Sequence, residues 1–304
     1  MRNADPNEVY TPADLPGLRL APVALAVFGD PVKHSLSPPM HNAALAEMAR
    51  QNPAFRDWRY YKFAVRAEEV VRVLPDFARA GFRGINLTIP HKTLILEALP
   101  HIEASARQMG AVNTLSLKDG YYMGFNTDGY GLRQAVREEL GLTLGGQPVI
   151  LLGAGGAARA AAVQCLLDGV PELWLGNRNP DRLQTLLRDL TALGRDTPIH
   201  PFSLIDPPRD RFPAGALVIN ATSVGLIPGA PAPVDLDLLE QPAGIYDMIY
   251  NPAVTTLLHE AGQRGLPAAN GLSMLVWQGV RALEIWTGAK VPAATMRKAC
   301  EEAL

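Results

Sequence analysis

The chain has 304 residues, and its 28 lysines and arginines nearly balance 30 aspartates and glutamates, for a formal net charge of −2. This balance argues against nucleic acid or another polyanion as a partner. With 48% hydrophobic and 19% charged residues the chain can bury a large core, which excludes disordered and fibrous classes. The length indicates two domains.

Neither cysteine usage nor the N-terminus points to secretion, metal binding or a membrane. Cys165 and Cys300 cannot form a disulfide framework and have no cluster of metal-ligating neighbours, so we expect core thiols in a reducing cytoplasm and no metal site. Residues 1–22 contain acidic residues and prolines where a signal peptide would be apolar, so we interpret them as a flexible extension. The apolar run at 148–167 is broken by glycines and contains Arg159, so no membrane span is expected.

From Ala24 onward, short apolar runs alternate with helical patterns, which predicts a parallel α/β sheet. Ser37, followed by a proline, is predicted as the N-cap of the first helix. The elements predicted in the first half are strand 25–28, helix 37–50, strand 58–65, helix 67–79, strand 83–87, helical segments over 92–109, and a hairpin of 112–117 and 121–123 around Asp119-Gly120.

A second α/β series follows a boundary that we place at the Gly- and Asp-rich segment 126–131. Its predicted elements are helix 130–140, strand 149–152, helix 155–167, strand 173–176, helix 181–193, strands near 216–220 and 244–248, and helices 272–287 and 293–304. Residues 207–213 and 228–233 are predicted to be proline-rich loops.

A glycine-rich turn follows the strand at 149–152. Residues 153–158, Gly-Ala-Gly-Gly-Ala-Ala, match the G-x-G-x-x-A dinucleotide fingerprint between a strand and a helix. Glycines at these positions let backbone N–H groups approach a pyrophosphate at the positive end of the helix. The flanking elements favour a dinucleotide site over an ordinary tight turn.

The residues after the next strand favour NADP. An NAD site normally has an acidic residue there to bind the ribose 2′-hydroxyl, whereas this chain has Asn177-Arg178-Asn179. Arg178, with Arg182 one helical turn later, can pair with a 2′-phosphate and stack on the adenine. The alternative is that both arginines are ordinary surface charges, and Asp181 nearby keeps NAD open.

Polar side chains recur in the first half, most of them after predicted strands, where ligands of open α/β sheets bind. Hydroxyls, amides and a Lys–Asp pair would suit a polyhydroxylated acid. Each residue also has a structural alternative as a cap, a turn residue or an exposed lysine, and His34 and His41 are interpreted as structural groups or as groups that support the ligand-contacting residues. The set comprises Ser35, Ser37, Asn86, Thr88, Lys92, Asn113, Asn126, Thr127 and Asp128.

Several short motifs in a fixed order carry a family resemblance. They are residues 29–38 (GDPVKHSLSP) with His41-Asn42, 86–92 (NLTIPHK), 110–114 (GAVNT), 124–129 (GFNTDG), the fingerprint at 153–158, Asn177-Arg178, 220–223 (NATS), 246–248 with 250–252 (YDM, YNP), and 270–272 (NGL) with Met274 and Gln278. From about Ala24 to the C-terminus the chain resembles shikimate dehydrogenases. It departs in its N-terminal extension and in Asn179, where NADP-type members usually carry Thr.

The resemblance implies reversible, NADPH-dependent reduction of 3-dehydroshikimate to shikimate, the fourth step toward chorismate and the aromatic amino acids. Lys92 and Asp128 match the catalytic pair of the family. A lysine ammonium can neutralise the alkoxide left by hydride addition and donate the proton, while the aspartate orients it. In the oxidation direction the lysine must be neutral, so activity should rise toward alkaline pH.

The resemblance also implies the remaining site residues. Substrate would be bound by Ser35, Ser37, Asn86, Thr88, Lys92, Asn113, Asp128, Tyr250 and Gln278. NADP would be bound by Gly153, Ala154, Gly155, Gly156, Ala157, Asn177, Arg178, Asn179, Arg182, Thr222, Ser223, Met248, Gly271 and Met274. Core packing explains Met248 equally well.

The implied architecture is two α/β domains around a cleft: a discontinuous substrate domain (23–127 and 271–304), to which the C-terminal helices return, and a Rossmann-like domain (128–270). We expect a cytoplasmic monomer or homodimer that binds small molecules and neither nucleic acid nor membrane. The rivals are an NAD-dependent quinate/shikimate dehydrogenase, a folate-type or glutamyl-type dehydrogenase, and a catalytically silent shikimate-binding paralogue. Arg178 argues against the NAD-dependent quinate/shikimate dehydrogenase, and Ser35 with Ser37 argues against a folate-type or glutamyl-type dehydrogenase. The presence of both Lys92 and Asp128 argues against the silent paralogue.

Overall fold

A computed structural model describes residues 1–208, 212–227 and 229–304 of the chain. The chain forms two compact units: unit 1 comprises Met1–Thr127 and Gln278–Leu304, and unit 2 comprises Asp128–Trp277. Residues 209–211 and 228, within the two predicted proline-rich loops, lie outside the described ranges.

Unit 1 is built on a seven-stranded sheet of order β2-β5-β4-β6-β8-β9-β7. Its elements, in chain order, are β1 (Arg2–Asn3), β2 (Val9–Tyr10), β3 (Leu18–Arg19), β4 (Val23–Gly29), α1 (Ser37–Gln51), β5 (Trp58–Ala64), α2 (Val70–Arg79), β6 (Phe82–Leu87), α3 (His91–Leu94), β7 (His101–Ile102), α4 (Ala104–Met109), β8 (Thr114–Lys118) and β9 (Tyr121–Phe125).

Strands β5, β4 and β6 pair in parallel, and β8 pairs antiparallel with both β6 and β9. Central strand β4 is buried almost throughout, which explains its unbroken apolar run. A cluster of edge-on aromatic rings, including Phe28, Phe63 and Phe77, fills the core beside it. The predicted hairpin is confirmed as β8 and β9, and Asp119 and Gly120 both have the positive φ that its tight turn requires.

Residues 1–22, which we predicted to be a flexible extension, contain three short paired strands. Strand β2 pairs with β5 and so forms one edge of the sheet, and β1 pairs with β3. Tyr10 is buried, and its hydroxyl accepts a 2.7 Å hydrogen bond from the Asp5 backbone. Tyr10 packs against the aromatic core, and this packing holds the segment in place. The polar composition of residues 1–22 did not indicate such a contact.

Unit 2 contains a fully parallel six-stranded sheet of order β12-β11-β10-β13-β14-β15, the 3-2-1-4-5-6 arrangement of doubly wound dinucleotide-binding folds. Its elements are α5 (Asp128–Leu140), β10 (Val149–Leu152), α6 (Gly156–Leu167), β11 (Leu173–Asn177), α7 (Pro180–Thr191), β12 (Ile199–Ser203), β13 (Leu217–Asn220), β14 (Gly244–Asp247), α8 (Thr256–Gln263) and β15 (Ala268–Ala269).

The C-terminal helices return to unit 1, as predicted. Helix α9 (Leu272–Thr287) begins in unit 2 and belongs to unit 1 from Gln278 onward, and α10 (Ala293–Ala303) packs on α1. The buried Trp286 indole donates a 2.9 Å hydrogen bond to the Leu115 carbonyl, which anchors α9 beside β8.

Both cysteines are buried free thiols, Cys165 in unit 2 and Cys300 in unit 1. Burial raises the pKa of the Cys165 thiol far above its usual value, and it raises the pKa of Cys300 to about 12. Across the three described ranges, no helix is both long and apolar enough to cross a membrane.

Candidate active site

Ser35 and Ser37 lie in the turn between β4 and α1. We predicted Ser37 as the N-cap of α1, and this is wrong: Leu36 occupies that position and Ser37 is the first helical residue. The Ser37 backbone N–H donates to Ser35 Oγ over 3.3 Å, which fixes the chain at the start of α1.

Asn86 lies at the end of β6 and is buried. Its Oδ1 accepts a 2.8 Å hydrogen bond from the Tyr60 hydroxyl. Its Nδ2 donates to the Asn113 carbonyl at 3.2 Å and to Thr114 Oγ1 at 3.0 Å. Because a buried amide is costly unless its groups are paired, these bonds hold the side chain in one orientation.

Asn113 connects this group to the C-terminal helices. Its Oδ1 accepts hydrogen bonds from the Thr127 backbone N–H at 2.8 Å and from Thr114 Oγ1 at 2.9 Å, and its Nδ2 donates to Thr127 Oγ1 at 3.0 Å. The Thr127 hydroxyl donates to Gln278 Oε1 at 3.5 Å. Three predicted substrate residues, Asn86, Asn113 and Gln278, thus belong to one hydrogen-bonded network within unit 1.

His41 lies under this network as a structural group, as predicted. Its ring stacks on Tyr60 with centroids 4.2 Å apart and planes 14° apart, and its Nδ1 lies 2.9 Å from the Ser37 carbonyl oxygen. The ring is fully buried, and this burial lowers the pKa of His41 to about 4.

Thr88 lies in the loop after β6, and Lys92 lies in the short helix that follows this loop. The Thr88 backbone N–H donates to the Phe28 carbonyl at 2.9 Å, which fixes the loop against the end of β4. Lys92 is half-buried in the short helix α3, and its carbonyl accepts a 2.8 Å bond from Val112 N–H. Asn126 is buried, and its side chain donates to the Ala111 carbonyl at 3.0 Å.

The glycine-rich turn of unit 2 has the form that a dinucleotide pyrophosphate requires. Gly153 has φ +118°, and a Cβ there would come within 2.9 Å of the Ala221 carbonyl oxygen, so only glycine fits. Gly155 precedes the first turn of α6. Both Gly155 and Gly156 are exposed, with open space at the Cβ position, so their backbone N–H groups are accessible to a ligand. Ala154 is half-buried and Ala157 is exposed beside them.

The turn after β11 presents two arginines to solvent. Asn179 is the N-cap of α7 and accepts a 2.9 Å hydrogen bond from Arg182 N–H, which explains how Asn can replace the usual Thr. Asn177 Nδ2 donates to the Asn179 carbonyl at 2.8 Å and tightens the turn. Arg178 and Arg182 have exposed side chains, available to a 2′-phosphate.

A buried carboxylate orders the turn after β13. Asp247 accepts hydrogen bonds from Asn220 Nδ2 at 3.0 Å, Ile249 N–H at 3.0 Å and Thr255 Oγ1 at 2.7 Å, and burial raises the pKa of Asp247. Asn220 in turn accepts from Thr222 Oγ1 at 2.7 Å. The predicted cofactor residue Thr222 is therefore held in a fixed turn.

Six other predicted residues are placed within unit 2. Ser223 is exposed, and Met248 and Met274 are half-buried. Gly271 is buried, and its N–H donates to the Ile249 carbonyl at 3.1 Å. Tyr250 is half-buried after β14. Asp128 is the first residue of α5 and of unit 2.

The sequence analysis named Thr127 among the candidate polar residues but missed two other members of the unit 1 network, Thr114 and Tyr60. Thr114 lies within a quoted motif, next to Asn113, and its position was the only signal. Tyr60 lies in no motif, and Tyr61 follows it directly. Only the register of β5 determines which of the two phenols faces Asn86.

Known proteins resemble this chain along most of its length. The family described as "Shikimate dehydrogenase substrate binding domain" matches residues 27–115, and "Shikimate 5'-dehydrogenase C-terminal domain" matches residues 271–301. A shikimate dehydrogenase (NADP(+)) of Citrifermentans bemidjiense is 42% identical over 276 residues, which cover 90% of this chain and 92% of that protein.

Two solved structures show the same fold. Shikimate 5-dehydrogenase of Thermus thermophilus, in complex with NADP(H) and shikimate, has a TM-score of 0.80 and 36% identity, covering 93% of this chain and 100% of that one. Ligand-free 5-ketofructose reductase of a Gluconobacter strain has a TM-score of 0.83 and 30% identity, covering 94% and 99%. Fold alone therefore does not fix the substrate. The identity and coverage of the curated relative, together with the matched domains, place this chain in the shikimate dehydrogenase family.

Proposed function

We propose that this protein reversibly reduces 3-dehydroshikimate to shikimate with NADPH. The observation that carries the proposal is the network joining Asn86, Asn113 and Gln278 within unit 1, in which both asparagines are buried. It joins hydroxyls and carboxamides, groups that match a ring bearing hydroxyls and a carboxylate. Membership of the family supplies the identity of that ring.

Unit 1 binds the substrate in this proposal. Ser35 and Ser37 donate hydrogen bonds to the carboxylate, with the Tyr250 hydroxyl as a third donor. Asn86, Thr88, Asn113 and Gln278 contact the ring hydroxyls. Since most of these side chains are already hydrogen-bonded to the protein, little ordering accompanies binding.

NADP is bound by unit 2. The open N–H groups at Gly155 and Gly156 contact the pyrophosphate, and Arg178 and Arg182 pair with the 2′-phosphate. Asn177, Thr222 and Met248 contribute further contacts. When bound, the reduced cofactor supplies the hydride that reaches C3 of the substrate.

Lys92 and Asp128 manage the proton. The Lys92 ammonium neutralises the oxygen at C3 as negative charge develops there, and its Nζ donates the proton that completes the hydroxyl. Asp128 orients the lysine and accepts a hydrogen bond from a ring hydroxyl. In shikimate oxidation, neutral Lys92 accepts that proton, so the rate rises toward alkaline pH.

The functional division follows the two units. We assign 23–127 and 271–304 to substrate binding and 128–270 to the dinucleotide; residues 271–277, at the start of α9, belong to unit 2. Because both cysteines are free buried thiols, we also assign the enzyme to a reducing cytoplasm. We expect a monomer or a homodimer, which sedimentation measurements distinguish.

Two alternatives keep the fold and change the function. A quinate/shikimate dehydrogenase that uses NAD would share the scaffold, but the exposed pair of Arg178 and Arg182 favours a 2′-phosphate. A silent shikimate-binding paralogue would bind ligand without turnover, but this chain retains both Lys92 and Asp128.

The test is initial-rate oxidation at alkaline pH, with shikimate or quinate and with NADP or NAD in all four combinations. The proposal predicts that shikimate with NADP dominates. If quinate with NAD dominates, the 2′-phosphate role of Arg178 is wrong while the Lys92 chemistry stands. No turnover in any combination, with shikimate still bound in calorimetry, would establish the silent paralogue.

A further inference from the structure

Lys92 is carried by a single helical turn that presents most of its side chains to solvent. Helix α3 has only four residues, His91–Leu94. Thr93 and Leu94 are exposed and Lys92 is half-buried, so His91, at 0% exposure, is the one buried side chain of the turn. Because so short a helix is not stable by itself, contacts outside the turn must determine where Lys92 lies.

The main chain on either side of α3 is fixed to the rest of unit 1. Before the turn, the Asp30 N–H donates to the Ile89 carbonyl at 3.1 Å. After it, Ile95 is fully buried in the hydrophobic core. Within the turn, the Lys92 carbonyl accepts the 2.8 Å bond from Val112 N–H described above. Between Ile89 and Ile95, His91 is the residue whose side chain is buried.

His91 is the first member of a buried row with a spacing of four residues. The other members, Ile95 and Leu99, belong to the hydrophobic core of unit 1. Across the residues that the structure describes, neither ring nitrogen of His91 has a hydrogen-bond partner. Burial lowers the pKa of His91, so the ring is neutral near pH 7 and adds no positive charge beside Lys92. The imidazole therefore acts through its shape, as the apolar members of the row do.

We propose that His91 is a positioning residue that holds Lys92 in place by packing. Its neutral ring fills the interior space behind α3 and fixes this turn against unit 1, so that Lys92 Nζ meets the oxygen at C3 of the substrate. His91 touches neither substrate nor cofactor in this scheme. The proposal rests on the proposed function, which assigns the proton step to Lys92. A misplacement of about 1 Å can lower a rate by about 10²-fold.

The first test measures the position of α3 without using turnover. His91→Ala removes the ring, so the turn should open more often and the Val112 amide, which donates to the Lys92 carbonyl, should exchange at least about tenfold faster. His91→Phe keeps a buried ring that needs no hydrogen-bond partner, so the exchange rate should stay within about twofold of the wild type. Hydrogen exchange followed by NMR gives the rate at this amide.

Met48→Ala is the matched control for a general loss of stability. Met48 is 5% exposed in the last turn of α1, so its truncation also removes a buried side chain from unit 1. Exchange at Val112 is expressed relative to the amides of central strand β4, which makes a general destabilisation cancel. Met48→Ala should leave this ratio unchanged. If His91→Ala leaves it unchanged as well, His91 does not position the turn.

The second test asks whether His91 acts through Lys92. His91→Ala should lower kcat for shikimate oxidation by about 10- to 100-fold, while the KM for NADP stays within about twofold. In a Lys92→Ala background the same substitution should change kcat by less than about twofold, because the group that it positions is already absent. A loss of kcat that persists without Lys92 would show general loosening and would overturn the proposal.

The remaining outcomes separate this proposal from the proposed function. If the wild type does not oxidise shikimate but His91→Ala still accelerates exchange at Val112, the proposed function is wrong while His91 does position the turn. If His91→Phe behaves like His91→Ala in both tests, the ring nitrogens are needed and positioning by packing is refuted. If His91→Ala does not fold, as judged by circular dichroism, His91→Val takes its place as the smaller truncation.

Discussion

The buried imidazole of His41 makes the stability of unit 1 depend on pH. Burial lowers the pKa of His41 to about 4 in the folded protein, whereas a histidine in an unfolded chain titrates near 6.5. Below pH 6.5 the unfolded chain therefore binds a proton that the folded protein does not. The stabilisation from neutral His41 is fully present above pH 6.5 and is lost as the pH falls toward 4.

The size of this effect follows from the two pKa values. A gap of about 2.5 units corresponds to about 3 kcal/mol in total, of which about 2 kcal/mol is lost between pH 7 and pH 5. We expect His41→Gln to remove this part of the pH dependence, because an amide does not titrate in that range. His34→Gln, which changes an exposed histidine, is the matched control.

The assay is urea unfolding followed by circular dichroism, with the free energy of unfolding determined at pH 7 and pH 5 for the three proteins. Only the difference between the two pH values is compared, so a lower overall stability of a variant does not affect the result. The wild type and His34→Gln should lose about 2 kcal/mol more than His41→Gln on acidification. If all three lose the same amount, the buried imidazole does not carry the effect.

Three substitutions test the site and its support. Lys92→Ala should lower kcat by about 10²- to 10⁴-fold while the shikimate Kd changes little, and an unchanged kcat in steady-state kinetics would remove the lysine from the proton step. Arg178→Ala should raise the KM for NADP by about 10-fold or more while the KM for NAD changes little. Arg188→Ala, at an exposed position further along the chain in α7, is the control and should change the KM of neither cofactor. Gly84→Ala would place a Cβ where the buried Trp286 indole lies and should lower the free energy of unfolding by about 1–3 kcal/mol. Gly262→Ala, at a position in α8 with open space for a Cβ, should leave the free energy of unfolding nearly unchanged, and urea unfolding measures both variants.

Elements whose burial pattern is strong were predicted almost to the residue. Strand β10 and helix α9 have the predicted limits, because one is an unbroken apolar run and the other keeps helical spacing for four turns. Strands β1, β2, β3 and β7 of unit 1 were missed because each has only two residues, and β7 interrupts the predicted helical segments over 92–109. The missed strands of unit 2 lie at the two edges of its sheet. β12 contains His200 and Pro201, β15 has two residues, and each has one neighbouring strand, so neither needs an apolar run.

The site was predictable as a set of side chains and not as a network. Motifs identify Asn86 because its chemistry suits a ligand, yet the hydroxyl that donates to its Oδ1 comes from a strand with two adjacent tyrosines. The error at Ser37 has a local origin. A serine before a proline is typical of an N-cap, but here Leu36 already has helical dihedral angles (φ −81°, ψ −5°), so Ser37 falls within the first turn.

The two buried thiols give the molecule one spectroscopic reporter in each half. Cys165 reacts with a disulfide reagent only when helix α6 opens, and Cys300 only when α10 opens, because the thiolate that reacts is suppressed by burial in both. Peptide mapping after labelling would distinguish the two sites. The rate at which each unit opens, with and without shikimate or NADP, can thus be measured on the unmodified protein.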